Sequence, residues 1–135
     1  MGSDDIRVVE DFIDAMKAFD FERTRALMTN DIVYQNVPLP ADRGREAVER
    51  TLQGFTKFVT HFDVVMHHIA ERDGVVLTER TDILRGPFVD MEFWVCGTFE
   101  VREGKIAVWR DRFDVATAVG QLLLGPLRRL FRPRR

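Results

Sequence analysis

Five residues of this chain are of types that handle protons and are spaced to share one site: Tyr34 and Asn36, Arg80 and Asp82, and Asp111. The first four form two pairs, each two residues apart, and on an extended segment that spacing puts both members on one side. Two carboxyl groups beside a cation and neutral donors are what general acid–base chemistry uses, provided the carboxyls hold different protonation states. On its own strand, the Arg80/Asp82 pair has a plainer reading as a solvated same-face ion pair worth little to stability.

Asp111 shifts the balance. Alternation over 106–114 sets it on the same side as Ala107, Trp109 and Phe113, with Arg110, Arg112 and Asp114 opposite. A carboxylate on that apolar side needs a cation or several donors, because burying it ionised and alone is very costly. Arg80 is a candidate cation, Tyr34 and Asn36 are candidate donors, and Asp82 would be a second carboxyl of the same cluster. Periodicity over 75–84 does not say which side of that segment faces solvent, since Val76, Thr78, Arg80, Asp82 and Leu84 alternate with Val75, Leu77, Glu79, Thr81 and Ile83.

The elements that must position these groups follow from spacing. Ile6, Val9, Phe12, Ile13, Met16 and Phe19 predict an amphipathic helix over 4–19 with Ser3 or Asp4 as N-cap. A short helix is expected over 22–28, turn chemistry at 29–31, and a strand over 32–37 in which Val33, Val37 and, just beyond, Leu39 look like core; Pro38 and Pro40 stop it. A second long helix is expected from Gly44 to about Phe58 through Ala47, Val48, Leu52 and Phe55, interrupted only by Gly54.

The period then changes to two, and 62–70, 75–85, 91–102 and 105–115 read as strands beside the turn signals Asp73-Gly74, Gly86-Pro87 and Glu103-Gly104. Helices followed by a meander indicate an α+β domain: a strongly curved mixed or antiparallel sheet, a cone packed against the N-terminal helices around an apolar pocket. A last helix is expected over 117–131, kinked at Gly125-Pro126.

The 135 residues, 45% apolar and 31% charged, suit one soluble domain over 1–127. The lone Cys96 excludes an internal disulfide and reads as a buried structural thiol. With no signal-like stretch, no span-length apolar run and no Ser or Thr at position 6 after Gly2, a cytoplasmic protein is expected. Five arginines lie within 128–135, so residues 1–127 hold 15 basic against 22 acidic residues, a net of −7, and nucleic acid is not the partner to expect. The arginine-rich tail reads as solvated in preference to membrane-bound. His61, His67 and His68 have no third ligand at a metal spacing, and residues 67 and 68 should point to opposite faces. Trp94 reads as core.

Taken together and in order, Tyr34-Gln-Asn36 with Pro38-Leu-Pro40 and Gly44-Arg-Glu-Ala-Val-Glu49, Thr78-Glu-Arg80-Thr-Asp82, and Trp109-Arg-Asp111 with Phe113-Asp114 resemble the limonene-1,2-epoxide hydrolase family, within the cone-shaped folds related to nuclear transport factor 2. The resemblance covers roughly residues 5 to 115. It leaves the loop 86–90 and the tail unexplained. It implies that Asp111 is a general base acting on water held by Tyr34 and Asn36, that Asp82 is the acid protonating the epoxide oxygen, and that Arg80 bridges the two. It further implies a homodimer, and a one-step hydrolysis without covalent intermediate, metal or cofactor.

Such chemistry suits the residues, since an epoxide needs a proton delivered as its C–O bond lengthens while water needs a base at that moment. The substrate should be hydrophobic. Leu84, Phe93 and Val95, in phase with the polar strand residues, and Met16, Phe55 and Val59, on helical patterns, are candidate walls, with ordinary core packing an equal alternative for each. Competing functions on such a scaffold are an isomerase or cyclase, in which Tyr34 and Asp82 form an oxyanion hole but Arg80 has no evident task, and a binding module without catalysis.

Overall fold

The computed structural model describes residues 2–131. Helical spacing at Val9, Phe12, Ile13 and Met16 gives α1 (Gly2–Lys17), followed by α2 (Phe21–Ala26), whose N-cap Asp20 accepts from the backbone N–H of Arg23. Then come β1 (Met28–Val37), β2 (Asp42–Arg43), α3 (Arg45–Phe55), β3 (His61–Arg72), β4 (Val75–Arg85), β5 (Asp90–Arg102), β6 (Lys105–Arg112) and α4 (Val115–Phe131). Gly74 and Gly104 stand at φ +79° and +76° in the β3–β4 and β5–β6 turns, a conformation that favours glycine.

The six strands form one sheet in the order β2-β1-β6-β5-β4-β3. β3 to β6 are an antiparallel meander, whereas β1 runs parallel to β6 in a register that sets Tyr34 beside Trp109 and Asn36 beside Asp111. Register shifts with extra residues in β1, in β3 and in β6 at Ala107 interrupt the ladders, and such bulges bend strands. The curved sheet stays open, with β2 and β3 at its edges.

α1 packs into the concave face, and Val9 and Phe12 meet Phe99, Ile106 and Trp109 in a core that excludes water completely at four of these five. Each such large side chain contributes roughly 1.5–3 kcal/mol by burial. A second cluster, Val59, Val89, Met91 and Ala118, lies where α4 packs on β5. The polar residues of interest lie in the cavity that both clusters line.

Several expectations are corrected. β1 starts at Met28, not at 32, so the expected turn at 29–31 is strand. α3 ends at Phe55, because turn geometry replaces helix over 56–58. The core side of β1 is Ile32 and Tyr34; Val33 and Val37 are half-buried and Leu39 is exposed, since the parity of the strand puts the even residues inward.

Likewise Cys96 and Trp94 face outward on β5, where Trp94 stacks on His67 at 4.4 Å between centroids. The bulge after Met66 leaves His67 and His68 both exposed, because it breaks the alternation expected of neighbours. β6 stops at Arg112, and Asp114 instead accepts from the Ala116 N–H and the Thr117 hydroxyl at the start of α4. α4 stays helical through Pro126 to Phe131, so the boundary expected after residue 127 falls inside it; the tail residues 132–135 and the side chains from 128 onward lie outside the described residues.

Candidate active site

β4 turns its even residues inward, and Arg80, 2% exposed, is the centre of what it carries. Its Nε donates to Asp82 Oδ1 at 2.8 Å and its Nη2 to Asp82 Oδ2 at 3.3 Å, a two-pronged contact within one strand. The same Nη2 reaches Asp111 Oδ2 on β6 at 2.7 Å, and Nη1 donates to the Thr78 hydroxyl at 3.0 Å. The solvated ion pair is therefore ruled out: the guanidinium bridges two carboxyl groups from different strands in a buried place.

β5 lies between those strands, and Gly97 makes the bridge possible. A Cβ there would collide with Arg80 Nη1 and stand 2.8 Å from both Asp111 Oδ1 and Thr78 Oγ1. Any larger residue would occupy the space the guanidinium crosses.

Asp111 has its second donor in Trp109, whose indole N–H bonds Oδ1 at 3.0 Å. Tyr34 stacks on that indole at 3.9 Å between centroids, and Asn36 donates to the Tyr34 hydroxyl at 3.0 Å. The phenol thus accepts from Asn36 and keeps its own proton to donate. Burial, with the nearby Asp111 charge, pushes its ionisation above the usual range, so it stays a neutral donor.

Burial also raises Asp111 and Asp82 above ordinary carboxyl values, against the pull of Arg80, and the charge on Asp111 raises Asp82 further. For Arg80 burial favours the neutral form, but the two carboxylates outweigh it and the guanidinium stays charged. One cation balances one carboxylate, so in so dry a place the neutral cluster holds one carboxyl proton. The indole N–H favours an ionised Asp111, as the two-pronged Arg80 contact favours an ionised Asp82, so the two carboxyls titrate as a pair.

The cluster forms the polar end of a cavity of about 750 Å³. All eleven residues expected from the sequence line it: the five polar ones and Met16, Phe55, Val59, Leu84, Phe93 and Val95. The walls are otherwise almost wholly apolar, so a ligand there exchanges water for hydrocarbon everywhere except at the cluster.

Sequence reasoning missed Trp109, Thr78, Gly97 and the residues of the cavity mouth as contributors. Trp109 was weighed only as apolar surface, although an indole two residues before a buried aspartate had the right parity to bond it. Thr78 and Gly97 were in phase with the polar residues, but no local pattern says that a glycine clears space for a side chain on another strand. The mouth of the cavity is made by Phe88 and by Val115, Val119 and Leu122 of α4, elements outside the resemblance.

Comparison with known proteins bears on this geometry. The family model for the limonene-1,2-epoxide hydrolase (LEH) catalytic domain matches residues 3–124. The chain is 41% identical over 118 residues, 87% of its length and 78% of the relative's, to epoxide hydrolase EphG of Mycobacterium tuberculosis. It resembles the solved structure of an LEH-like epoxide hydrolase from M. tuberculosis with a TM-score of 0.87 and 38% identity, covering 96% of this chain and 97% of that one. A SnoaL-like polyketide cyclase structure from Shewanella denitrificans, 18% identical with a TM-score of 0.81 over 88% of this chain and 96% of that one, shares the fold.

Proposed function

The chain belongs to the limonene-1,2-epoxide hydrolase family and is an epoxide hydrolase of that kind, and we propose that Asp111, Asp82, Arg80, Tyr34 and Asn36 open a hydrophobic epoxide in one step. The observation that carries this is the Arg80 bridge between two carboxyl groups at the polar end of an apolar cavity. Asp111 takes a proton from a water held by Tyr34 and Asn36 as that water's oxygen bonds an epoxide carbon. That carbon's bond to the ring oxygen breaks, the oxygen takes the bonding electrons and the proton of Asp82, and a vicinal diol results.

Turnover leaves Asp111 protonated and Asp82 ionised, the same charge count differently distributed. Arg80 touches both carboxyls and stabilises either arrangement, so the proton can return without the cluster gaining net charge. No carboxylate bonds carbon in this scheme.

Single-turnover hydrolysis in oxygen-18 water tests it. Every new diol oxygen should carry the label; unlabelled oxygen drawn from a carboxylate would replace the one-step scheme with a covalent one. Met16, Phe55, Val59, Leu84, Phe93 and Val95 serve as substrate walls, and the cavity volume accommodates bulky terpene-, lipid-, steroid- or polyketide-like epoxides. The enzyme would work in the cytoplasm as a homodimer, which sedimentation analysis of the purified chain addresses. Isomerase or cyclase chemistry is not favoured, because its support in likeness, as with the cyclase at 18% identity, is of fold alone.

A further inference from the structure

The cavity's mouth is apolar outside as well as inside. Leu39, Phe55, Phe58, Phe88, Val119 and Leu122 all line the cavity and all stand exposed, Phe88 by 77%. α4 carries that surface onward: Leu123 is 73% exposed, Leu124 and Leu127 are more than half exposed, and none of these three lines the cavity. So many large apolar side chains exposed on the rim and on the helix beside it mark an interaction site.

Charge segregates to the same end of the chain. After Asp114 no acidic residue occurs, and Arg128, Arg129, Arg132, Arg134 and Arg135 follow the leucines directly, while residues 1–127 are net negative. Five arginines alone describe a solvated tail. An apolar helix face and an apolar cavity rim leading into them describe the combination by which helices lie on anionic bilayers.

We propose that the exposed leucines of α4, the rim of the cavity and the C-terminal arginines together dock on an anionic phospholipid bilayer, so that a hydrophobic epoxide passes from lipid into the cavity without crossing water. Two copies meeting through α4 would join segments of like charge, since the sequence after Leu127 holds five arginines and no acid. Nucleic acid would satisfy the arginines and leave the leucines in water. A bilayer satisfies both. The delivery of substrate rests on the epoxide hydrolase function proposed above; the docking does not.

The test is co-sedimentation of the full chain with phosphatidylcholine vesicles, with and without about 30 mol% phosphatidylglycerol, at low and high salt. Wild type should bind the anionic vesicles and release in high salt. Leu123→Glu with Leu127→Glu should weaken binding at least about tenfold, as should Arg132→Gln, Arg134→Gln and Arg135→Gln together. No binding of wild type to anionic vesicles at low salt overturns the proposal, and so does a leucine variant that binds as tightly as wild type.

A wild-type dimer that falls apart in the leucine variant, seen by ultracentrifugation, would assign the face to a second copy and overturn it too. Hydrolysis of a small, water-soluble epoxide by the leucine variant at the wild-type rate, with vesicle binding lost, is the expected companion result. If neither protein hydrolyses any epoxide, the reaction assignment fails while sedimentation still decides the docking.

Discussion

Trp109 and Asp111, two residues apart on β6, are joined by an indole N–H to carboxylate hydrogen bond of 3.0 Å, and through it the wall of the cavity bears on its chemistry. Hydrogen bonds to a charged group contribute about 1.5–3 kcal/mol. Trp109→Phe should therefore lower kcat roughly 10- to 100-fold and shift the acid limb of the rate profile upward, as the Asp111 carboxylate loses a donor. Unchanged pH limbs with a lower kcat would reduce the indole to a packing element.

Asp111→Asn keeps the shape of the site and removes the base, so hydrolysis across a panel of cyclic terpene, fatty-acid and sterol epoxides should fall about 10²- to 10⁴-fold. Asp82→Asn should lose activity to a similar degree, since an amide has no acidic proton to deliver to the epoxide oxygen. Retained hydrolysis in either variant would remove that carboxyl from the mechanism.

Gly97→Ala adds a methyl group where Arg80 crosses between strands. The guanidinium must then leave one of its carboxylates, and breaking a buried pair costs about 3–5 kcal/mol. Urea unfolding should show a loss of that order, with hydrolysis at least about 100-fold down. An alanine variant as stable and as active as wild type would mean that Arg80 does not need this space.

Both carboxyl groups are raised by burial, so both limbs of the pH profile should stand above the usual carboxylate value of about 4. Activity should fall below the acid limb as Asp111 gains a proton, and above the alkaline limb as Asp82 loses one. Stability has the matching sign. The folded state holds protons that the unfolded chain releases between the ordinary and the raised values, so stability should decline as pH rises through that window. The slope should shrink in Asp82→Asn, and a slope unchanged in that variant would separate Asp82 from the effect.

Phe93 packs on Phe113 at 5.2 Å between centroids and lines the cavity beside Leu84. Phe93→Trp narrows the space beside Asp82, its cross-strand partner, and KM should rise several-fold more for sterol epoxides than for cyclic terpene epoxides. Equal effects on both would mean that this wall does not select by size.

Much of this protein was legible in its sequence because the signals are local. Helical and strand spacings located the main elements, with β4 correct at both ends, and the parity of Tyr34/Asn36, Arg80/Asp82 and Trp109/Asp111 put each pair on one side of its strand. The position of Asp111 on an apolar side demands a cation on the strength of the sequence alone. Where local signals erred, as at Cys96, Trp94 and Leu39, the cause was that apolar content does not say which side of a curved sheet meets water.

Tertiary structure alone decided the rest. Parallel pairing of β1 with β6 brings Asn36 beside Asp111 across 75 positions of chain, and no spacing rule encodes that register. The direction in which β4 faces, the gap that Gly97 leaves for Arg80 and the closure of the cavity mouth by α4 all depend on three strands and a helix meeting. Residue types determined which groups needed partners; packing of distant segments determined which partners they found, because burial and contact belong to the folded chain and not to any stretch of it.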